Sequence, residues 1–250
     1  MLLKELANYL NTLLDIESIP DNSQNGIQVE NRSDIRKIGL AVDTSLASIQ
    51  QAVDLECQML FVHHGLFWGK PVELKGALYQ RIKLLMDSDI ALYAAHLPLD
   101  LHAELGNNAQ VQQVLNWPVI GDFGDSHGTI IGKEIRLEAP VFLGELVETF
   151  ESRLGCQATV WPFGKKKIQT IGYVSGGALS MLEQAIDSGL DAYITGEPGH
   201  SFYWMAKEAG INVIFGGHYA TETLGVKAVG KKLETDLSLE TVFIDLPTGL

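Results

Sequence analysis

An internal repeat constrains the fold of this 250-residue chain more than any other feature of its sequence. The segment that begins at Ile38 aligns without a gap with the segment that begins at Ile171, at an offset of 133 residues, and six of 27 aligned positions are identical. Each copy has an apolar run, a turn of small residues, an amphipathic helical stretch and a second apolar run. Because apolar strands that alternate with helices form parallel sheets covered on both faces, the repeat predicts an α/β fold.

The pattern continues in the same order beyond the aligned copies. In each half a further helical stretch leads to an apolar run that ends in a histidine, with a carboxylate four residues later. This arrangement matches His96 with His218 and Asp100 with Glu222. We therefore predict two interlinked α/β domains from an internal duplication, with mostly parallel sheets flanked by helices.

The boundary between the two predicted domains falls in a stretch rich in glycine and turn residues, Gly121–Pro140. We place the first α/β domain at residues 1–124 and the second at residues 125–250. A polar, strand-like run opens the second domain, and a well-patterned helix over Val141–Gly155 follows it. The chain is long enough for each domain to bury a core of its own.

Charge and composition exclude several classes of protein. The chain has 18 lysines and arginines against 31 aspartates and glutamates, a formal net charge of −13. A surface this acidic argues against nucleic-acid binding and against docking on an anionic membrane. Two cysteines, Cys57 and Cys156, are too few for a disulfide scaffold. The N-terminal leucines follow an amphipathic helix rather than a signal peptide, and no stretch resembles a membrane span, so we expect a soluble, cytoplasmic protein.

Histidines concentrate where the predicted strands end. Six of the seven lie at or just after the carboxyl end of an apolar run, where open parallel sheets bind their ligands. His63 and His64 are adjacent, and adjacent side chains of an extended strand point in opposite directions. The pair therefore has two interpretations. Either two neighbouring metal ions each take one imidazole, or one histidine packs in the core while the other caps a helix.

His218 and Glu222 have a spacing that suits a metal ion. They are four residues apart where the chain enters a helix, which places an imidazole beside a carboxylate on one face. Asp100, on a segment that we predict to be a loop, could reach the same space. Each feature alone is equally typical of an ordinary hydrogen-bonded pair, but together they predict a metal site. Imidazole and carboxylate ligands suit zinc, iron, manganese or nickel.

Six short motifs run in order over essentially the whole chain: DNSQNGIQVE (Asp21–Glu30), FVHHGLFW (Phe61–Trp68), YAAHLPLD (Tyr93–Asp100), ELGNNAQ (Glu104–Gln110), TGE (Thr195–Glu197) and GGHYATE (Gly216–Glu222). Together they resemble the NIF-three-like family, whose members are often named GTP cyclohydrolase 1 type 2 homologues. The chain lacks the large central insertion that some members of that family carry.

The resemblance implies a dinuclear site with two divalent metal ions per chain, in the cleft between the two domains. Matched motif by motif, its ligands are His63, His64, Asp100, His218 and Glu222. Glu222 would bridge both ions, and each ion would take one imidazole of the adjacent pair. His96 is not a ligand throughout the family, and we place it behind the ligands or facing a substrate. The resemblance also implies a ring-shaped homohexamer.

Two functions are compatible with such a chain. In the first it is a metallohydrolase of the GTP cyclohydrolase 1 type 2 type, in which two ions activate a water molecule against a nucleotide-like or other small polar substrate. Candidate proton carriers for that reaction are His96, His102 and His200. In the alternative the chain is a non-catalytic metal-binding or regulatory protein, because no residue outside the ligand set stands out as an acid, base or nucleophile.

Overall fold

A computed structural model describes residues 1–250 and contains two β-sheets flanked by helices, which confirms the predicted α/β class. The helices are α1 (Leu3–Leu13), α2 (Leu46–Asp54), α3 (Gly76–Asp87), α4 (Leu97–Leu101), α5 (Asn107–Leu115), α6 (Leu143–Leu154), α7 (Leu182–Asp187), α8 (Tyr203–Ala209) and α9 (His218–Leu237). The strands are β1 (Gly26–Val29), β2 (Lys37–Asp43), β3 (Met59–His64), β4 (Ala91–Ala94), β5 (Val119–Ser126), β6 (Thr129–Phe142), β7 (Thr159–Pro162), β8 (Lys167–Tyr173), β9 (Ala192–Thr195), β10 (Asn212–Phe215) and β11 (Glu240–Phe243). Short 3₁₀ helices, Leu179–Met181 and His200–Phe202, precede α7 and α8. The helices all lack the combination of length and apolar character that crossing a membrane requires.

Contacts between residues divide the chain into two compact units, each built from two segments. The first unit consists of Met1–Leu105 with Gly225–Leu246, and the second of Gly106–Leu224 with Pro247–Leu250. The units are thus discontinuous in sequence, whereas the predicted domains, 1–124 and 125–250, are continuous segments. The physical reason is strand pairing, because β11 near the C-terminus pairs with β2 in the sheet of the first unit.

The sheet of the first unit has the order β1-β4-β3-β2-β11, with only β1 antiparallel to its neighbour. Within it, β2, α2, β3, α3 and β4 form the predicted β-α-β-α-β series. Helix α2 begins where the Oγ of Ser45 accepts a hydrogen bond from the backbone N–H of Ser48, at 3.0 Å. Ile49 of α2 and Leu85 of α3 are fully buried in one apolar cluster with side chains of the sheet.

The sheet of the second unit has the order β5-β6-β8-β9-β10-β7, in which β8, β9 and β10 are parallel and the other pairings are antiparallel. Successive residues of its central strands alternate between two apolar clusters. Ile194 and Ile214 pack in the cluster that contains Phe150, whereas Tyr193 and Val213 pack in the other. Because side chains of a strand alternate in direction, the two clusters cover opposite faces of this sheet.

The pairing of β2 with β3 in the first unit has the same register as the pairing of β8 with β9 in the second. Ile38 lies opposite Met59 in the first unit, and Ile171 lies opposite Ala192 in the second. Both pairs are related by the same 133 residues that separate the aligned copies. The shared register supports the predicted duplication, and it aligns the strand ends that carry the candidate site residues.

Candidate functional site

Three parallel strands of the first unit end at one edge of their sheet, and a polar side chain lies at or just beyond each end. β2 ends in Asp43, β3 ends in His63 and His64, and His96 follows the end of β4 by two residues. Because parallel strands end at the same edge, the fold brings these side chains together.

His63 is completely buried, and its orientation is fixed by the backbone. Its Nδ1 lies 2.9 Å from the carbonyl oxygen of Ala95. A carbonyl oxygen only accepts hydrogen bonds, so Nδ1 carries a hydrogen and, in the neutral imidazole, Nε2 carries the lone pair. That Nε2 lies 3.5 Å from Oδ2 of Asp100, which is also buried.

Asp100 lies on a helix, where the sequence predicted a loop. It belongs to α4, which has Pro98 in its first turn. Proline is compatible with the first turn of a helix because the backbone N–H groups there have no partner within the helix. The short helix turns the carboxylate of Asp100 toward His63.

His64 is held by a carboxylate. Its Nδ1 lies 2.8 Å from Oδ1 of Asp43, and the two residues face each other in register across β2 and β3. The imidazole rings of His63 and His64 have centroids 4.6 Å apart. Although His63 and His64 are adjacent at the end of β3, their rings are not directed to opposite sides, and both imidazoles face the same region.

His96 also has a carboxylate on its Nδ1. The two oxygens of Asp21 lie 3.0 and 3.1 Å from that nitrogen. Its ring centroid is 5.0 Å from that of His63 and 5.7 Å from that of His64. One ring nitrogen from each of these three histidines lies within 4.8 Å of the other two, a spacing that a single metal ion could close. We refer to His63, His64 and His96 as the three-histidine cluster.

The second unit holds the predicted pair of His218 and Glu222. His218 is the first residue of α9, and its Nε2 lies 3.1 Å from Oε2 of Glu222 one turn later, as the four-residue spacing predicted. Glu222 is buried beside Gly176, where a Cβ atom would lie 2.1 Å from Oε1 of Glu222. Gly176 also has a positive φ of 66°, which favours glycine. Only glycine at position 176 therefore lets the backbone lie this close to the carboxylate of Glu222.

The charge of His218 depends on two carboxylates. Its Nδ1 hydrogen-bonds to Oε1 of Glu197, while Nε2 faces Glu222. Burial opposes the charged imidazolium, but the hydrogen bonds and negative charges of Glu222 and Glu197 outweigh it and raise the pKa of His218 to about 9. A metal ion at Nε2 would displace this proton, since only a neutral imidazole binds a metal.

The other predicted proton carriers have different surroundings. Nδ1 of His102 accepts hydrogen bonds from the backbone N–H groups of Glu104 and Leu105, at 3.1 and 2.9 Å, and burial lowers the pKa of His102. His200 is exposed in the 3₁₀ helix of the second unit. Of the three candidates, only His96 belongs to the three-histidine cluster.

Sequence reasoning assigned no role to the three carboxylates that orient histidines, Asp21, Asp43 and Glu197. Asp43 ends an apolar run at the same sheet edge as the adjacent histidines, and that position could have identified it. Asp21 and Glu197 lie within matched motifs, but their spacing in the sequence does not connect them to a particular histidine.

Comparison with known proteins agrees with the resemblance found in the motifs. A family model described as Duf34/NIF3 (NGG1p interacting factor 3) matches residues 1–248. A protein of Archaeoglobus fulgidus named GTP cyclohydrolase 1 type 2 homolog is 42% identical over 250 residues, 100% of both chains. A protein of the same name from Deinococcus radiodurans is 38% identical over 98% of this chain and 94% of its own. A solved structure of a Thermus thermophilus protein is 38% identical, with a TM-score of 0.91 and 100% of each chain covered. This chain therefore belongs to the Duf34/NIF3 family.

Proposed function

We propose that this chain binds two divalent metal ions and acts as a metal-dependent hydrolase on a nucleotide-like or other small polar substrate. The observation that supports the proposal most is the orientation of the candidate ligand histidines. His63, His64 and His218 each direct Nδ1 at an oxygen acceptor, which makes Nε2 the ligand nitrogen. Acceptors of this kind on the far nitrogen are the usual partners of metal-binding histidines.

The donor set fits the proposed metals. The first unit supplies His63, His64 and Asp100, and the second supplies His218 and Glu222. Imidazole nitrogens with carboxylate oxygens suit zinc, iron, manganese or nickel. A dinuclear centre in a cleft between the domains, bridged by Glu222, stays a prediction from the resemblance. Two carboxylates would offset half of the charge of two divalent ions, leaving a positive centre in a chain of net charge −13.

A divalent ion would supply Lewis-acid chemistry, which activates water for attack near neutral pH. On the protein side, an exposed aromatic ring lies beside the three-histidine cluster. Trp68 is 38% exposed, its ring centroid lies 4.9 Å from that of His96, and its Nε1–H donates to the carbonyl oxygen of Gly65 at 3.1 Å. A fixed, exposed indole can stack on a nucleobase, which supports a nucleotide-like substrate. The name of the relatives makes GTP the first nucleotide to test.

Metal content and turnover together test the proposal. Protein purified without an affinity tag should contain about two divalent ions per chain, and Glu222→Gln should reduce that number. Metal-reconstituted protein would then be assayed against GTP, other nucleotides, phosphoesters and amides, with His64→Ala as the control. We expect metal-dependent turnover of at least one substrate, and loss of that turnover in the variant. Protein that binds metal but turns over none of these substrates would contradict the hydrolase.

A non-catalytic metal-binding or regulatory protein is the alternative. It predicts readily exchangeable metal and a partner protein in pull-downs, whereas slow exchange with steady turnover would contradict it.

For either function we propose a ring-shaped homohexamer. Light scattering should then give a mass of about 164 kDa, six chains of 27.4 kDa each, and a monomer or dimer would contradict the ring.

A further inference from the structure

We propose that His96 joins His63 and His64 in a separate metal-binding mode, in which three imidazoles of the first unit hold one divalent ion without any carboxylate ligand. This inference rests on the proposed metal-binding function and adds a ligand that the family resemblance does not supply. The ion belongs to the class that prefers nitrogen ligands, Zn²⁺, Co²⁺ or Ni²⁺, rather than Mg²⁺ or Ca²⁺.

The orientation of all three rings is the first support. His63 donates from Nδ1 to the carbonyl oxygen of Ala95, His64 to Asp43 and His96 to Asp21. Three independent acceptors thus select the same tautomer, with the hydrogen on Nδ1 and the lone pair on Nε2. A cluster of histidines that merely packed together would not need this agreement.

The distances fit one ion. Three atoms that all lie within 4.8 Å of one another share a point at most about 2.8 Å from each, and a zinc–imidazole bond is about 2.0–2.1 Å. A movement of about 0.7 Å by each nitrogen therefore brings all three to bonding distance.

The surroundings of Asp21 indicate that His96 is firmly held. The Asp21 side chain is only 3% exposed, yet it accepts hydrogen bonds from the backbone N–H groups of Ser23 and Leu97, and from Nδ2 of Asn25, besides that of His96. These contacts fix the position of the carboxylate, and through it the orientation of the His96 ring. Oδ1 of Asn25 also accepts the backbone N–H of His96, at 2.8 Å.

Partial exposure gives an ion a route to this site. The side chains of His96 and His64 are 22% and 20% exposed, whereas His63 is buried. Three neutral imidazoles leave the positive charge of the ion uncompensated by the ligands. His63 and His64 are common to this site and to the predicted ligand set, so His96 is the ligand that distinguishes the two.

Titration with Co²⁺, followed by visible absorption, tests this site in the full chain. The background is the double variant His218→Ala, Glu222→Gln, which removes the ligands of the second unit. We expect that background to bind one Co²⁺ per chain, and His96→Gln in it to weaken binding at least tenfold. Asp21→Asn should weaken binding by 10- to 100-fold through loss of the oriented tautomer. His127→Asn, at an exposed turn between β5 and β6, is the matched control and should leave the affinity unchanged.

The outcomes separate this site from the proposed function. If the wild type binds Co²⁺ but the double variant binds none, the three-imidazole site is overturned while the metal protein stands. Unchanged affinity in His96→Gln overturns it as well. A wild type that binds no divalent ion contradicts the proposed function itself. Circular dichroism of each variant checks folding, and His96→Asn repeats the test with a smaller side chain should His96→Gln unfold.

Discussion

Oδ1 of Asp43 lies 2.8 Å from Nδ1 of His64, and the two residues are register partners across the neighbouring strands β2 and β3. The sheet itself sets this contact, because a shift of one residue in the register would turn one side chain to the opposite face. A carboxylate placed in this way fixes the imidazole so that Nε2 is the ligand atom. Sheet pairing and metal binding are thereby connected through one hydrogen bond.

Replacing this acceptor should weaken metal binding while the fold persists. We expect Asp43→Asn to lower the affinity for Zn²⁺ by 10- to 100-fold, because an amide neither fixes the tautomer nor raises the basicity of His64 as a carboxylate does. The Asp43 side chain is 45% exposed, so the thermal midpoint should change little. Competition against a chromophoric chelator measures the affinity. Asp54→Asn, exposed at the end of α2, is the matched control, and equal affinities of both variants would contradict the prediction.

Removing the indole beside the cluster should weaken nucleotide binding. Base–aromatic stacking contributes about 1–3 kcal/mol, so Trp68→Ala should raise the dissociation constant of GTP from the metal-loaded protein by about tenfold. Isothermal titration calorimetry measures this change, and Trp68→Phe, which keeps an aromatic face, should recover part of it. Trp204→Ala removes an indole that is 57% exposed on α8 and should have no effect. Equal losses for both alanine variants would show that Trp68 does not stack on the base.

The fold and the positions of the histidines could be predicted from the sequence because both follow from local patterns. Apolar runs, turns and helical spacing define β2 through β4 and β8 through β10. His63 and His64 end β3, and His218 follows the end of β10 by three residues. Two of the carboxylate acceptors, Asp21 and Glu197, could not be assigned to a histidine because nothing in their sequence spacing connects them to one. Asp21 and His96 are 75 residues apart, and only the folded chain brings them together.

The repeat also shows where a sequence alignment misleads. The sequence matches His96 with His218, but sheet register places Tyr93 opposite Phe61 and Ile214 opposite Ile194. Phe61 and Ile194 are equivalent in the repeat, so Tyr93 and Ile214 are equivalent as well. Four residues further on, the counterpart of His218 is therefore Leu97, and these two residues are the first of α9 and α4. His96 is therefore offset by one residue from the position equivalent to His218, and it lies just before α4. This difference agrees with separate roles for His96 and His218.

Asp191 should make the stability of the protein depend on pH. Burial favours its neutral form, but the Lys165 ammonium and the backbone N–H groups of Gln169 and Thr170 outweigh this and hold the pKa of Asp191 below its ordinary value. Stabilisation is then fully present above the unfolded pKa of about 4, and it is lost as the pH falls through the lower folded value.

The Asp191→Asn variant tests this dependence. We expect it to lower the free energy of unfolding by about 1–2 kcal/mol at pH 7 and by less at pH 3, because hydrogen bonds to charged groups are the stronger ones. Urea unfolding at both pH values measures the difference from the wild type. Asp187→Asn, exposed at the end of α7, should stay within about 0.5 kcal/mol at either pH. A loss for Asp191→Asn that does not depend on pH would contradict the assignment.

A methyl group at Gly176 should disturb the metal ligand that the glycine accommodates. Its Cβ would lie 2.1 Å from Oε1 of Glu222, and its φ of +66° is unfavourable for alanine. We expect Gly176→Ala to lower the free energy of unfolding by about 1–3 kcal/mol and to weaken metal binding at least tenfold, as measured by urea unfolding and chelator competition. Gly144→Ala on α6 meets no atom within 4 Å and should instead stabilise the protein by about 0.5–1 kcal/mol. If Gly176→Ala lost stability but kept full metal affinity, glycine would be needed only for the positive φ at position 176, and not for the placement of Glu222.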